Sequence, residues 1–136
     1  MLPQVDQKDL TMYRKVKALS ELEICIYLAQ IEGLQIYVQF NSVRVNVAEG
    51  DDYYFNPLAN SEQLIELMVK HDVERTWEQY DFIGWSYHVL GGVNPIHVTE
   101  RQDFSGNEEP DISMHKAVCL AIILNKSEAF KLSADK

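Results

Sequence analysis

In GWSYHVLGG, residues 84–92, a serine sits between two aromatics, with a histidine two places on and a glycine pair beyond. Gly84 and Ser86 invite comparison with the elbow G-x-S-x-G, whose second glycine lets a strand turn sharply into a helix and expose the serine. His88 occupies that second glycine's place and no helical pattern follows, so the elbow fails. In extended chain Trp85, Tyr87 and Val89 point to one face, and Ser86 and His88 to the other. The Cα atoms of Ser86 and His88 would then lie about 6–7 Å apart. That spacing does not by itself make the direct hydrogen bond an activated serine needs. The stretch reads as a strand entering a turn, and no catalytic residue is expected.

Metal and cofactor chemistry fare no better. The imidazoles are His71, His88, His97 and His115, and Asp111 with His115 has the i, i+4 spacing that sets two ligands on one helical face. No third ligand is tied to them by spacing, CxxC and HExxH are absent, and Asp111 serves equally as a helix N-cap. Gly91-Gly92 lacks the lysine and helix of a phosphate loop, and GxGxxG is absent. The acidic pairs Asp51-Asp52 and Glu108-Glu109 fall in loops, where solvated charge is the default. Neither a metal nor a cofactor is expected.

Aromatic density is the remaining signal. Tyr53, Tyr54 and Phe55 stand beside Asn56 in one loop, and Trp77, Tyr80, Trp85 and Tyr87 in one extended segment, with His97 and Arg101 downstream. Such rings stack on a base or anchor a protein partner, and arginine adds a charged contact. Trp85 and Tyr87 are as well suited to filling the core. The candidate binding set is Tyr53, Tyr54, Asn56, Trp77, Tyr80, His88, His97 and Arg101.

These residues must be positioned by one domain, because 136 residues suffice for a single core. Residues 1–14 read as an N-terminal arm and 127–136 as a tail. Ser20 and Glu23 form a capping box, and Gly33 closes the following apolar run, which predicts a helix over 21–32. LQIYVQF and VRVNV flank Asn41-Ser42 as a hairpin, with Ile36, Val38 and Phe40 on one face, and Val43, Val45 and Val47 forming the apolar face of the second strand. Residues 48–59 read as loop. Asn60 or Ser61 caps a helix to about His71, with Leu64, Leu67 and Met68 in a stripe beside Ile65. TWEQYDFIGWSYHV and IHVTE read as strands, RQDFSGNEEP as a polar loop, and ISMHKAVCLAIILN as a buried helix capped by Asp111. The expected fold class is α+β: an antiparallel sheet of about four or five strands packed by three helices.

Charge and cysteine usage narrow the partners. A net charge of −9 repels a nucleic-acid backbone, and RKVK at 14–17 is too short a basic patch to override it. The longest apolar run, eight residues over 117–124, is far short of a spanning helix. Cys25 and Cys119 each lie in an apolar run, where a thiol behaves as a small hydrophobe. With no secretory signal at its start, the chain is expected to be cytoplasmic, free of membrane and nucleic acid, and open to homo-oligomerisation.

KVKALSELEICIYLAQIEG, YYFNPLANSEQLIELMV, the tryptophan-bearing strand and ISMHKAVCLAIILNKSE together resemble, in order, the blocks of the NinX-like phage proteins and the related phage α/β/α (ABA) sandwich domain. The resemblance spans about residues 15–126. It implies a phage or prophage origin, hence host cytoplasm, and a sheet packed by helices; no catalytic residue carries over. The chain departs from the family pattern in its closing helix, where Pro110 precedes DISMHK and Lys116 is the nearest cation. The segment HVTERQDFSGNEEP also has no counterpart.

Three functional expectations follow. The first is a non-enzymatic phage accessory protein that sequesters a small nucleotide-like signal in a counter-defence role, with Arg101 and Arg44 offsetting the acidity. The second is an inhibitor whose acidic face covers a basic site on a host defence or nucleic-acid-processing protein. The third is a small enzyme whose site the sequence conceals.

Overall fold

A computed structural model describes residues 7–79, 83–92, 94–102, 108–110 and 112–130. Helix α4 (Met114–Lys126) organises the rest, because its sequence is apolar on every side. All residues over 117–124 are buried, with no exposure above 3%. The helix packs against α1 (Gln7–Lys17), α2 (Glu21–Ile31) and α3 (Ser61–His71), and also against strands β4 (Val73–Glu78), β5 (Gly84–Val89) and β6 (Ile96–Gln102). A helix with no polar stripe is stable only when covered all round, and helices and sheet together supply that cover. Among the described residues no helix is long and apolar enough to cross a membrane.

The chain is α+β with antiparallel strands, but the strands form two sheets and the helices number four among the described residues. One sheet has the order β1-β2-β3, with β1 at Ile36–Gln39, β2 at Ser42–Val45 and β3 at Tyr53–Tyr54. The other runs β4-β5-β6-β7, with β7 at Glu108–Pro110. The expectation of a single sheet with three helices is corrected accordingly. Two short strands fall in segments expected as loop: β3 within residues 48–59, and β7 within the polar segment that begins at Arg101. Pro110 is accommodated because β7 is an edge strand.

The N-terminal arm is also corrected, since α1 runs through most of it. Met12, Val16 and Leu19 recur at helical spacing; Val16 is fully buried, and the other two pack on the core. At the other end, Ser127 and Phe130 are buried, and the Phe130 ring meets Tyr27 edge-on at 5.4 Å, so the supposed tail is packed at least to residue 130. Residues 1–6 and 131–136 lie outside the described residues.

The capping signals translate directly into structure. The Ser20 hydroxyl accepts from the Glu23 amide at 3.1 Å, and the Glu23 carboxylate accepts from the Ser20 amide at 2.9 Å. Gly33 follows with φ +69°, the left-handed conformation that glycine adopts without penalty. Asn60 caps α3 through the Gln63 amide. Ser113 caps α4 by accepting from the Lys116 amide, in place of the expected Asp111, which lies outside the described residues. Glu32, just past α2, bonds both Lys70 and His71 at 2.9 Å and so ties α2 to the last turn of α3. Leu64 and Leu67 of the α3 stripe are buried, and Ile65 beside it is 57% exposed.

The first hairpin turns at Phe40-Asn41, one residue earlier than expected, with φ of 53° and 59°. Two positive φ values give the mirror-image turn whose twist matches paired strands. Asparagine tolerates that conformation, whereas a phenylalanine there costs about 1–2 kcal/mol. The turn pairs Val38 with Val43 and Ile36 with Val45. The expected turn would have paired Phe40 with Val43, a shift of two residues that preserves which side chains share a face. Val43 and Val45 accordingly remain on the buried face, while Phe40 leaves the strand and is 87% exposed.

At the second expected turn, a Cβ on Gly92 would sit 2.7 Å from the Asn125 side chain. Asn125 itself accepts from the Asn94 amide and donates to the Asn94 carbonyl, pinning this turn to α4.

Candidate functional site

The candidate binding residues that the structure describes are divided between the two sheets. Tyr53, Tyr54 and Asn56 belong to the three-stranded sheet and the segment after it, whereas Trp77, His88, His97 and Arg101 belong to the four-stranded sheet. Tyr80 lies outside the described residues. Tyr53 and Tyr54 lie in β3 of the three-stranded sheet and His97 in β6 of the four-stranded sheet, while the side chain of Arg101 lies outside the described residues.

Within the larger sheet, alternation separates the candidates again. Trp77 pairs with Trp85 and Arg75 with Tyr87, on the face carrying Val89 and Ile96. Tyr87 is buried, as core filling requires, while Trp85 is half-buried. The Trp77 and Trp85 rings meet edge-on at 5.1 Å, and the Arg75 guanidinium lies 4.2 Å from the Trp85 ring centroid. His88 is exposed opposite Glu74 on the other face. The backbone of Arg101 pairs with Glu109 in β6 and β7, so the expected loop position is corrected.

The serine of the opening motif does find an imidazole, one that sequence spacing along a single strand could not reveal. Ser86 pairs across β5 and β6 with His97, and its Oγ lies 2.8 Å from His97 Nδ1. The Tyr13 hydroxyl accepts from the His97 amide at 3.0 Å, and the two rings are 6.2 Å apart. Ser86 has no exposed surface, so its hydroxyl cannot reach a substrate carbonyl in this arrangement. The Ser86–His97 bond satisfies a buried hydroxyl, and the bond from the His97 amide to Tyr13 fastens α1 to the sheet.

Cavity geometry favours the smaller sheet. A cleft of about 330 Å³ opens where β2 begins and β3 ends, beside the first turns of α2. Leu22, Cys25 and Val43 give it an apolar side, Tyr54 and Phe55 supply rings, and Asn41, Ser42 and Asn56 offer amides and a hydroxyl. Its lining carries one charged residue, Glu21, and neither lysine nor arginine. The Asn56 backbone N–H donates to Gln63 Oε1 at 2.7 Å, while the Asn56 side-chain Oδ1 accepts weakly from Cys25 Sγ at 3.5 Å. Burial, with help from the Glu21 charge, pushes the Cys25 thiol up to about 11, so it remains protonated and is a poor nucleophile. Tyr53 instead borders a second cleft of about 490 Å³, with Glu32, Glu62, Glu66 and Lys70.

The outer face of this sheet adds a row that sequence reading missed. Tyr37, Arg44 and Tyr54 are successive cross-strand partners. The Arg44 guanidinium stands 4.6 Å from the Tyr54 ring centroid, and its Nη2 donates to the Asp52 carbonyl at 3.3 Å. Arg44 Nε is buried without a partner. Tyr37 donates to Asp52 Oδ2 at 2.7 Å, and the Val47 amide donates to Oδ1 at 3.1 Å.

These two bonds, the Tyr37 hydroxyl first, hold the Asp52 carboxyl below its ordinary range. A folded-state value below the unfolded one of about 3.9 contributes stability above that pH, and the contribution is lost as pH falls through the lowered value. Asp52→Asn is therefore expected to flatten the acid limb of a stability-versus-pH curve followed by urea unfolding. An unchanged limb would show that the carboxylate is not linked to folding.

Among the described residues no group of three or more His, Cys, Asp or Glu is placed to hold a metal ion. No protein-family profile, curated protein or solved structure matches this chain.

Proposed function

We propose that this chain acts by binding rather than by catalysis, and that the cleft beside Tyr54 and Asn56 receives a flat, hydrogen-bonding ring of the nucleobase or nucleoside type. One observation carries this reading: rings, side-chain amides and an apolar side occupy a single concavity within the size range of small-ligand sites, roughly 300–1,000 Å³. The Asn41 and Asn56 amides each provide donor and acceptor groups suited to a base edge. A base can stack on Tyr54, whose ring Arg44 approaches from its own strand.

The absence of a lining cation directs the choice of ligand. A phosphate at this site would meet Glu21 and a chain of net charge −9, so recognition falls on the base end of a nucleotide-like signal. The cations suggested for phosphate do not serve this role: Arg44 is engaged with Tyr54 and Asp52, and Arg101 is on the other sheet. Such a protein would sequester a signal, in keeping with the phage accessory and counter-defence role implied by the NinX-like resemblance, acting in a host cytoplasm.

Thermal unfolding in the presence of individual nucleobases, nucleosides and their phosphates tests the proposal. A ligand at a hundred times its Kd stabilises the folded state by about 2.7 kcal/mol. We expect a base or nucleoside to raise the midpoint, its phosphates to do no better, and Asn56→Ala to weaken binding at least tenfold, about 1.4 kcal/mol. If no compound of the series moves the midpoint at millimolar concentration, or Asn56→Ala responds like the parent, the cleft is not such a site.

A further inference from the structure

The cleft of about 490 Å³ that Tyr53 borders runs beside α3, and Glu62, Glu66 and Lys70 recur along its wall at every fourth residue. Helical residues at that spacing share one ridge, with Cβ atoms about 5–6 Å apart. Phe55 and Leu67, both buried, give the cleft an apolar floor, which Leu34 extends. The Lys70 ammonium is held by Glu32 at 2.9 Å, so these two charges offset each other. Glu62 and Glu66 are exposed, and neither has an ion pair or side-chain hydrogen bond among the described residues. The cleft therefore holds two uncompensated negative charges one helical turn apart, over apolar ground and beside the Tyr53 ring.

We propose that this cleft binds a small aliphatic diamine, with its ammonium groups at Glu62 and Glu66, its methylenes on Phe55 and Leu67, and one charged end against the Tyr53 ring. Two ammonium groups on a short alkyl chain match the separation of the two carboxylates, and an aromatic face attracts a cation. A cleft of one sign with apolar walls concentrates the field of its charges, and the net charge of −9 draws cations toward it. The same charges repel an anionic ligand. A hydrated metal ion gains nothing from the apolar floor, and among the described residues no group of three or more His, Cys, Asp or Glu is placed to hold one. Asn56 borders the cleft beside Tyr54 and Glu66 borders this one, so the two ligands can be assigned to separate sites.

Isothermal titration calorimetry of the full chain with diaminobutane tests the proposal, with butylamine and magnesium as comparison probes. The expected result is one saturable site for the diamine that weakens as salt rises. Butylamine should bind about tenfold more weakly, because one charged hydrogen-bonding contact is lost. Glu66→Gln and Glu62→Gln, exposed changes that keep the size of the side chain, should each weaken the diamine about tenfold for the same reason. Tyr53→Ala should weaken it about threefold. Asn56→Ala should leave diamine binding as in the parent. The proposal falls if no heat of binding is seen at millimolar diamine, if butylamine binds as tightly, or if magnesium displaces the diamine at equal concentration. It falls equally if salt strengthens binding, if the glutamate or Tyr53 variants bind as the parent does, or if Asn56→Ala abolishes the diamine site.

Discussion

Leu120→Ala is expected to lower the stability of the chain by about 2–5 kcal/mol. Leu120 is fully buried in the middle of α4, and α4 is the element that α1, α2, α3 and three strands of the larger sheet all pack against. Truncation removes the transfer free energy of the isobutyl group and leaves a cavity that neighbours fixed on several sides cannot collapse to fill. Domains of this size are stable by about 5–15 kcal/mol, so the variant should unfold at clearly lower urea concentration. A loss below about 1 kcal/mol would mean that the packing around α4 adapts, contrary to the close coverage described.

Ser86→Ala should have the next largest effect, a loss of about 1–3 kcal/mol. The substitution is nearly isosteric, so little packing changes; what disappears is the hydroxyl 2.8 Å from His97 Nδ1. Leaving a partly buried ring nitrogen without this partner costs more than a simple hydrogen-bond exchange with water. The Tyr13 contact to His97 places α1 in the same network, so the amides of α1 should lose hydrogen-exchange protection together with those of β6. A stability change under about 0.5 kcal/mol, the lower end for such bonds, would show that water replaces the serine freely.

Much of the local structure is legible in the sequence. Ser20, Glu23 and Gly33 delimit α2, and Asn60 starts α3, because capping involves residues within one turn of each other. The apolar run of α4 announced its own burial. The aromatic, extended character of residues 76–78 and of GWSYHV matches strands β4 and β5, and Tyr87 and Val89 on one face of β5 are buried. α1 was missed because its core-facing residues are few, Met12, Tyr13 and Val16 among polar ones, and its stability comes from packing rather than propensity.

The candidate site was legible in type but not in grouping. Tyr54 and Asn56 do border one cleft, yet Tyr53, adjacent in sequence, faces another. A two-residue period sends neighbours to opposite sides of a strand, and the sequence read this stretch as loop, where no such period applies. Asn41, Ser42 and Cys25 complete the cleft from segments far apart along the chain.

By itself the sequence determined the α+β class, the caps of α2 and α3, the burial of α4 and the acidic character, all of which depend on composition or on residues a few places apart. Only the tertiary structure decided that the strands divide into two sheets, that Ser86 meets His97, and that Phe40 is displayed at a strained turn. Those outcomes depend on strand register and on which hairpin packs against which helix, and contacts between distant segments are set by the competition for one shared core.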